Sequence, residues 1–216
     1  MTAPAQTATE PFAFDAIVLA GGRGSRLGGV DKPALLLNGT TLGARAVAAV
    51  DRARAIALVG DSSATLAHPR LRAAIEEPRR AGPVAAVVAG LAALGDAPEH
   101  VTVLLAADLV DPGPAVARLL AVTGDAHDAV VAVDPTGARQ PLLAAYRTGA
   151  LRAAVDAVAS GRTTGRGPSM RAVLDRLSLL ELPQPAAWCA DVDTPDDAAR
   201  YGIRLPDPEV PRVCAS

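Results

Sequence analysis

Aromatic side chains are scarce in this chain: one Trp, two Tyr and two Phe among 216 residues. The core must therefore be assembled mostly from Ala, Val and Leu. Material for it is ample, because half of the residues are apolar. Cysteine is nearly as rare. Cys189 and Cys214 have no Cys or His partner at metal-ligand spacing, and a reduced cytosolic setting fits them. His68, His100 and His127 are scattered, with no H-E-x-x-H pattern and no G-x-S-x-G elbow elsewhere. Hydrolysis at a zinc or serine centre has little support. A basic surplus is also missing. Lys and Arg total 21 against 23 Asp and Glu, a formal net charge of −2, which excludes a protein that coats nucleic acid. No stretch approaches the roughly 18 uncharged apolar residues of a membrane helix. The N-terminal residues lack the basic region and apolar run of a secretory signal, so a cytoplasmic location is expected.

What the chain does contain is a regular alternation of short apolar runs and helical stretches. Strands are expected over 16–20, 55–59, 71–75, 101–106, 129–133, 142–146, 179–182 and 187–190. Helices are expected over 41–50, 83–94, 112–122, 149–159 and 170–177, and from 195 with Thr194 as cap. A turn is expected at Asp134-Pro-Thr-Gly137. Residues 1–12 and 206–216 read as loose tails around one domain over 13–205, and 161–168 as a loop organised by ligand. The pattern predicts an α/β domain with a mostly parallel sheet and helices on both faces. Ligands of such sheets lie beyond the carboxyl ends of the strands.

One segment stands out there: Leu19-Ala-Gly-Gly-Arg-Gly-Ser-Arg-Leu-Gly-Gly-Val-Asp-Lys-Pro33. Glycines let backbone N–H groups approach an anion, and arginine and lysine add charge-assisted bonds to phosphate. The clusters Arg23/Arg26/Lys32 and Arg162/Arg166/Arg171 suit discrete phosphates. The loop is neither a Walker motif, since Pro33 follows Lys32, nor a dinucleotide fingerprint, since Leu27 stands where the third glycine belongs. Asp108 follows the run 101–106 and is placed to hold Mg²⁺, with Asp111 assisting it or capping the next helix. Asp191 and Asp193 would share a face if the strand before them continues. Helix capping or solvent exposure is the plainer alternative for these carboxylates.

The stretch Leu19–Pro33 resembles the L-A-G-G-x-x-x-R-x-G-G-x-D-K signature of molybdenum cofactor guanylyltransferases, the MobA-like nucleotidyltransferases. Four further segments extend the resemblance over roughly 15–202: the loop 76–83 ending in Gly82-Pro83, Leu104-Leu-Ala-Ala-Asp108, Gly137-Ala-Arg-Gln-Pro-Leu142 and Asp191-Val-Asp-Thr-Pro195. Two departures touch the second-substrate side. Leu109-Val110 follow Asp108 in place of a small or proline-bearing turn, and Arg139-Gln140 precede Pro141 where some members carry His.

The resemblance implies a three-layer nucleotide-diphosphosugar-transferase-like sandwich that joins the GMP part of GTP to molybdenum-carrying molybdopterin and releases pyrophosphate. Leu19, Ala20, Gly21 and Gly22 would contact guanine and ribose. Gly24, Ser25, Arg26 and Lys32 would surround the triphosphate, with Arg26, Lys32 and Asp108 as the catalytic groups. Asp108 would hold Mg²⁺ with Asp193, and Gly82, Pro83, Gln140 and Pro141 would face the second substrate. Its partners would be GTP, molybdopterin and a molybdenum insertion protein or recipient molybdoenzyme, without nucleic acid or membrane. Transfer of CMP, transfer to a sugar phosphate or phospholactate, and a catalytically lapsed nucleotide-binding regulator remain as alternative readings.

Overall fold

The computed structural model describes residues 13–22, 24–62, 68–97, 100–160 and 168–206. In chain order the strands are β1 (Phe14–Leu19), β2 (Leu36–Leu37), β3 (Thr40–Thr41), β4 (Ile56–Val59), β5 (Leu71–Ala74), β6 (Val101–Ala106), β7 (Ala129–Val133), β8 (Arg139–Arg147) and β9 (Leu179–Pro183). The helices are α1 (Leu42–Ala49), α2 (Pro83–Leu94), α3 (Gly113–Val122), α4 (Thr148–Ala159), α5 (Met170–Leu174), α6 (Ala186–Cys189) and α7 (Pro195–Arg200).

Seven strands form one sheet in the order β5-β4-β1-β6-β8-β7-β9. β1 pairs in parallel with β4 and β6, β4 with β5, and β7 with β9; β8 alone runs against its neighbours. All six residues of β1 are buried, as a central parallel strand covered on both faces requires. Its alternation sends Ala16 and Val18 to one face, where α1 and α3 supply Ala46, Val47, Val116 and Leu119. Ile17 and Leu19 face the other side, against Val84, Val87 and Leu91 of α2 and Leu151 and Val155 of α4. The result is the expected three-layer α/β sandwich. A third, smaller cluster joins Leu27, Leu35 and Leu42 to Val110, Val192 and Ala198, so the glycine loop and the C-terminal segment share one apolar footing. Among the described residues no helix is long and apolar enough to cross a membrane.

The expected strand at 187–190 is instead the short helix α6, which follows Pro185. Trp188 N–H closes back on the Pro185 carbonyl at 3.0 Å. The helix over 170–177 stops at Leu174, and the following residues turn through Arg176 N–H to the Val173 carbonyl. β8 begins three residues earlier than expected, because the turn at Asp134 folds it onto β7 as a hairpin with a bulge between Val131 and Ala132. The tails 1–12 and 207–216 and most of the loop 161–168 lie outside the described residues.

Candidate active site

The chain switches sides of β1 between β4 and β6, and the crevice that results lies at the carboxyl ends of these strands. The glycine loop leaves β1 at that point. Ala20 N–H donates to the Val59 carbonyl at 2.7 Å, and Ala107 N–H donates to the Leu19 carbonyl at 2.9 Å, pinning the loop's root between β4 and the end of β6. Gly24 then takes a left-handed φ of 50°, and a Cβ there would lie 2.2 Å from the Val30 carbonyl oxygen. Only glycine fits this position. Leu27 and Gly29 N–H groups both donate to the Gly24 carbonyl, at 2.8 and 2.9 Å. Across the crevice Gly60, with φ 134°, brings the chain after β4 against the Ala20–Gly21 peptide, so close that a Cβ would lie 2.7 Å from the Gly21 nitrogen.

Lys32 opens a single 3-10 turn whose next residue, Pro33, is buried. This anchored turn aims the ammonium at the end of β6. Lys32 Nζ donates to Asp108 Oδ2 at 3.2 Å and also makes a very short contact with Asp193 Oδ1. Arg26 donates to the other oxygen of Asp193 at 3.3 Å. Burial acts to lower the Lys32 pKa, but its bonds to Asp193 and the charge of Asp108 outweigh it and hold the ammonium above the usual lysine value.

The two aspartates of the C-terminal segment reach Asp108 without the continuing strand that alternation suggested. Asp191 lies on an isolated bridge to Leu109, and Val110 N–H donates to the Ala190 carbonyl at 2.9 Å. Asp193 precedes the capping box of α7, where Thr194 accepts from Asp197 N–H while the Asp197 carboxylate takes the Asp193 and Thr194 N–H groups. One oxygen from each of Asp108, Asp191 and Asp193 lies within 4.8 Å of the others. An all-carboxylate donor set of this spacing fits a hard divalent cation such as Mg²⁺. The crowding has a measurable consequence: desolvation, followed by the charges of Asp108 and Asp193, pushes the Asp191 carboxyl up to about 6. Asp111 neither joins this group nor caps α3; it pairs with Arg45 at 3.7 Å.

A cavity of about 340 Å³ opens beside Lys32 and Asp108. Leu19, Gly21, Gly22, Gly24, Gly82 and Pro83 line it, so the start of the glycine loop and the start of α2 both contribute to its walls. Three charged lining residues were not among the named site residues: Asp61, and Glu76 and Arg80 of the segment 76–83, whose resemblance gives neither of them a role. Asp61 follows β4, and Glu76 lies just past β5, the same placement that singled out Asp108 after β6. That rule, applied to every strand of the parallel half, finds both. Glu76 is only 8 % exposed, and its Oε1 accepts from Arg80 N–H at 2.8 Å. Asp61 pairs with Arg79 and Arg80 at 3.6 and 3.7 Å.

Other anticipated residues lie elsewhere. Ala20 is buried under the loop, and Arg26 does not line the cavity; the Ser25 side chain lies outside what the structure describes. Gln140 and Pro141 are turned away from the lining. Gln140 Nε2 donates to Asp134 at 2.8 Å, and the Pro141 carbonyl accepts from the buried Tyr146 hydroxyl at 2.8 Å; Leu142 is the β8 residue that reaches the cavity. Arg23, Arg162, Arg166 and Cys214 lie outside the described residues.

Solved structures share this architecture at low identity. Molybdopterin-guanine dinucleotide biosynthesis protein A from Archaeoglobus fulgidus is 20% identical with a TM-score of 0.61, over 87% of this chain and 96% of its own. Rv0371c from Mycobacterium tuberculosis is 22% identical with a TM-score of 0.64, over 88% and 97%. The 2-C-methyl-D-erythritol 4-phosphate cytidylyltransferase from Thermus thermophilus is 16% identical with a TM-score of 0.62, also over 88% and 97%. At these identities the likeness is one of fold, the nucleotide-diphosphosugar-transferase-like sandwich. No curated protein matches the chain. The family model of the MobA-like NTP transferase domain matches residues 16–181, from within β1 into β9, and this chain belongs to that family.

Proposed function

We propose that the chain transfers GMP from GTP to the terminal phosphate of molybdenum-carrying molybdopterin, forming the guanine dinucleotide and pyrophosphate, within a single catalytic domain over 13–205. The observation that carries nucleotidyl transfer is the meeting of Lys32, from the glycine loop, with Asp108 and Asp193 beside a cavity walled by Gly21, Gly22 and Gly24. Such a reaction needs no covalent nucleophile from the protein. It needs in-line positioning and neutralisation of charge that grows at the α-phosphate and on the leaving pyrophosphate.

In this reading the glycine-loop backbone holds the triphosphate, and Lys32 and Arg26 turn from the aspartates to its oxygens. Asp108, Asp191 and Asp193 hold Mg²⁺, which when bound neutralises phosphate charge and orients the attack. The base lies between Gly21–Gly22 and the start of α2. There Glu76 presents a buried carboxylate, the complement of the adjacent N1–H and N2–H donors of guanine. Cytosine has no such donor pair, and this supports GTP over CTP. The acceptor approaches past Gly82 and Pro83, with Leu142 and the adjoining Gln140–Pro141 segment on the opposite side. The A. fulgidus relative's name supports molybdopterin as acceptor.

The test is incubation of the protein with Mg²⁺, molybdenum-loaded molybdopterin and each nucleoside triphosphate in turn, followed by product mass and pyrophosphate release. The guanine dinucleotide with stoichiometric pyrophosphate is expected. A cytosine dinucleotide overturns the base assignment, and GTP binding without pyrophosphate release indicates a nucleotide-binding regulator.

A further inference from the structure

Lys32 is bonded to two of the three aspartates that would hold a metal. Its ammonium is bonded to Asp108 Oδ2 and Asp193 Oδ1, while Arg26 takes Asp193 Oδ2. Both oxygens of Asp193 and one of Asp108 are therefore committed to cations of the glycine loop. We infer that Lys32 is a resident cation that closes the Asp108–Asp191–Asp193 group until a nucleotide draws it away, so that metal and triphosphate enter together. The inference rests on the metal assignment made under the proposed function.

The physical argument is one of mutual exclusion. An ammonium and a divalent cation repel, and they cannot share the same carboxylate oxygen at bonding distance. Lys32 is well placed to stay where it is: its side chain is 16 % exposed, and its turn is fixed by buried Pro33. Without it, three carboxylates with oxygens within 4.8 Å of one another would face each other with no cation from Lys32 between them. A triphosphate changes the balance, because its oxygens offer the ammonium and Arg26 better partners than a shared carboxylate. Moving both cations onto the phosphates frees the aspartates at the moment when the extra negative charge of the nucleotide also favours a dication. Lys32 thus has two successive partners, the carboxylates first and the phosphates afterwards. It prevents idle metal loading and ties metal entry to nucleotide entry.

The test is a titration of the full chain with Mn²⁺, followed by electron paramagnetic resonance of the free ion, with and without a non-transferable GTP analogue. Wild-type protein is expected to bind Mn²⁺ weakly alone and at least about tenfold more tightly with the analogue, the scale expected from removing one opposing unit charge beside the site. Lys32→Gln, and Lys32→Ala as a second variant, are expected to bind Mn²⁺ about tenfold more tightly than wild type with no nucleotide present. Lys32→Arg, which retains the charge, is expected to stay weak. A purely structural role for Lys32 would weaken metal binding in all three variants. Equal affinity in wild type and Lys32→Gln, weaker binding by Lys32→Gln, or no binding by it while thermal unfolding shows a folded protein overturns the inference. The nucleotide-free titrations contain neither base nor pterin. A chain that uses CTP or another acceptor would still give the Lys32 result, and product analysis alone would reveal that separate failure.

Discussion

Two aspartates sit at opposite ends of the same pair of parallel strands. Asp15 lies near the start of β1, opposite Thr102, and is 2 % exposed. It pairs with Arg54 at 3.0 Å, and His100 Nδ1 lies 3.6 Å away. Asp108 lies just beyond the end of β6 and pairs with Lys32 at 3.2 Å. Both are embedded carboxylates with a cation beside them, so burial and pairing do not separate a structural ion pair from a reactive one. The surroundings do. Asp15 anchors the chain before β4 to the closed end of the sheet. Asp108 opens onto a cavity and has Asp191 and Asp193 within metal-bridging range. Packing carboxylates together opposes folding, and under the proposed function the cation they would hold offsets that cost.

The largest expected effect lies at the open end. Asp108→Asn and Lys32→Ala should each lower kcat by about 10²–10³-fold, the scale for losing one aligned electrostatic contact in the transition state. Thermal unfolding of Asp108→Asn should show no loss of stability, since the change relieves like-charge crowding. Near-normal turnover by either variant would erase the distinction between the two ends. The closed end should behave in the opposite way. Arg54→Ala leaves Asp15 charged and buried without its main partner, and chemical denaturation should show a loss of about 2–3 kcal/mol after allowing for the half-exposed guanidinium. The kcat per folded molecule should be unchanged.

Glu76 sharpens the contrast within the cavity. Glu76→Gln keeps the shape but replaces one carboxylate oxygen with a donor. It should reduce the preference for GTP over CTP by about 10–100-fold in kcat/KM ratios, the range for losing a charge-assisted bond to the base. The smallest effect concerns pH. A carboxyl raised to about 6 in the fold is protonated there at pH values where the unfolded chain has already lost its proton. Asp191 therefore makes the folded protein less stable as pH rises from its ordinary value of 3.8 through about 6. Magnesium with nucleotide should offset that loss only where Asp191 is ionised. The rise in Tm on adding both should be greater at pH 7.5 than at pH 5, and Asp191→Asn should reduce the difference.

Much of the fold is legible in the residues because local signals and burial agree. Pro83 in the first turn and Gly95 after the last mark α2, and apolar runs, broken only by Thr102, mark β6 and β7. The segment 187–190 misleads because a short apolar run with Trp and Cys has no period to distinguish helix from strand; Pro185 and the turn closing onto it decide for helix. Polar Arg139 and Gln140 conceal the start of β8, which long-range pairing with β7 supplies. At the site, glycine spacing and the cations of 19–33 are visible in sequence. The meeting of Asp191 and Asp193 with Asp108 is expected from their places after apolar runs and from the resemblance, but its means is not: a single bridge to Leu109 and the capping box of α7 stand in place of a continuing strand. Asp61 carries no glycine or cation motif and is marked only by the shared edge of the parallel strands, whereas Glu76 also opens the segment 76–83 that carries the resemblance.

The central claim is that the triphosphate held by the N-terminal loop and the metal held by Asp108 meet in one place. Pulsed electron–nuclear double resonance on Mn²⁺ in the complex with a non-transferable GTP analogue tests it directly. Strong phosphorus hyperfine coupling is predicted for the wild-type protein, with loss of the bound signal in Asp108→Asn. Mn²⁺ bound without phosphorus coupling, or an unchanged spectrum in Asp108→Asn, would contradict the account.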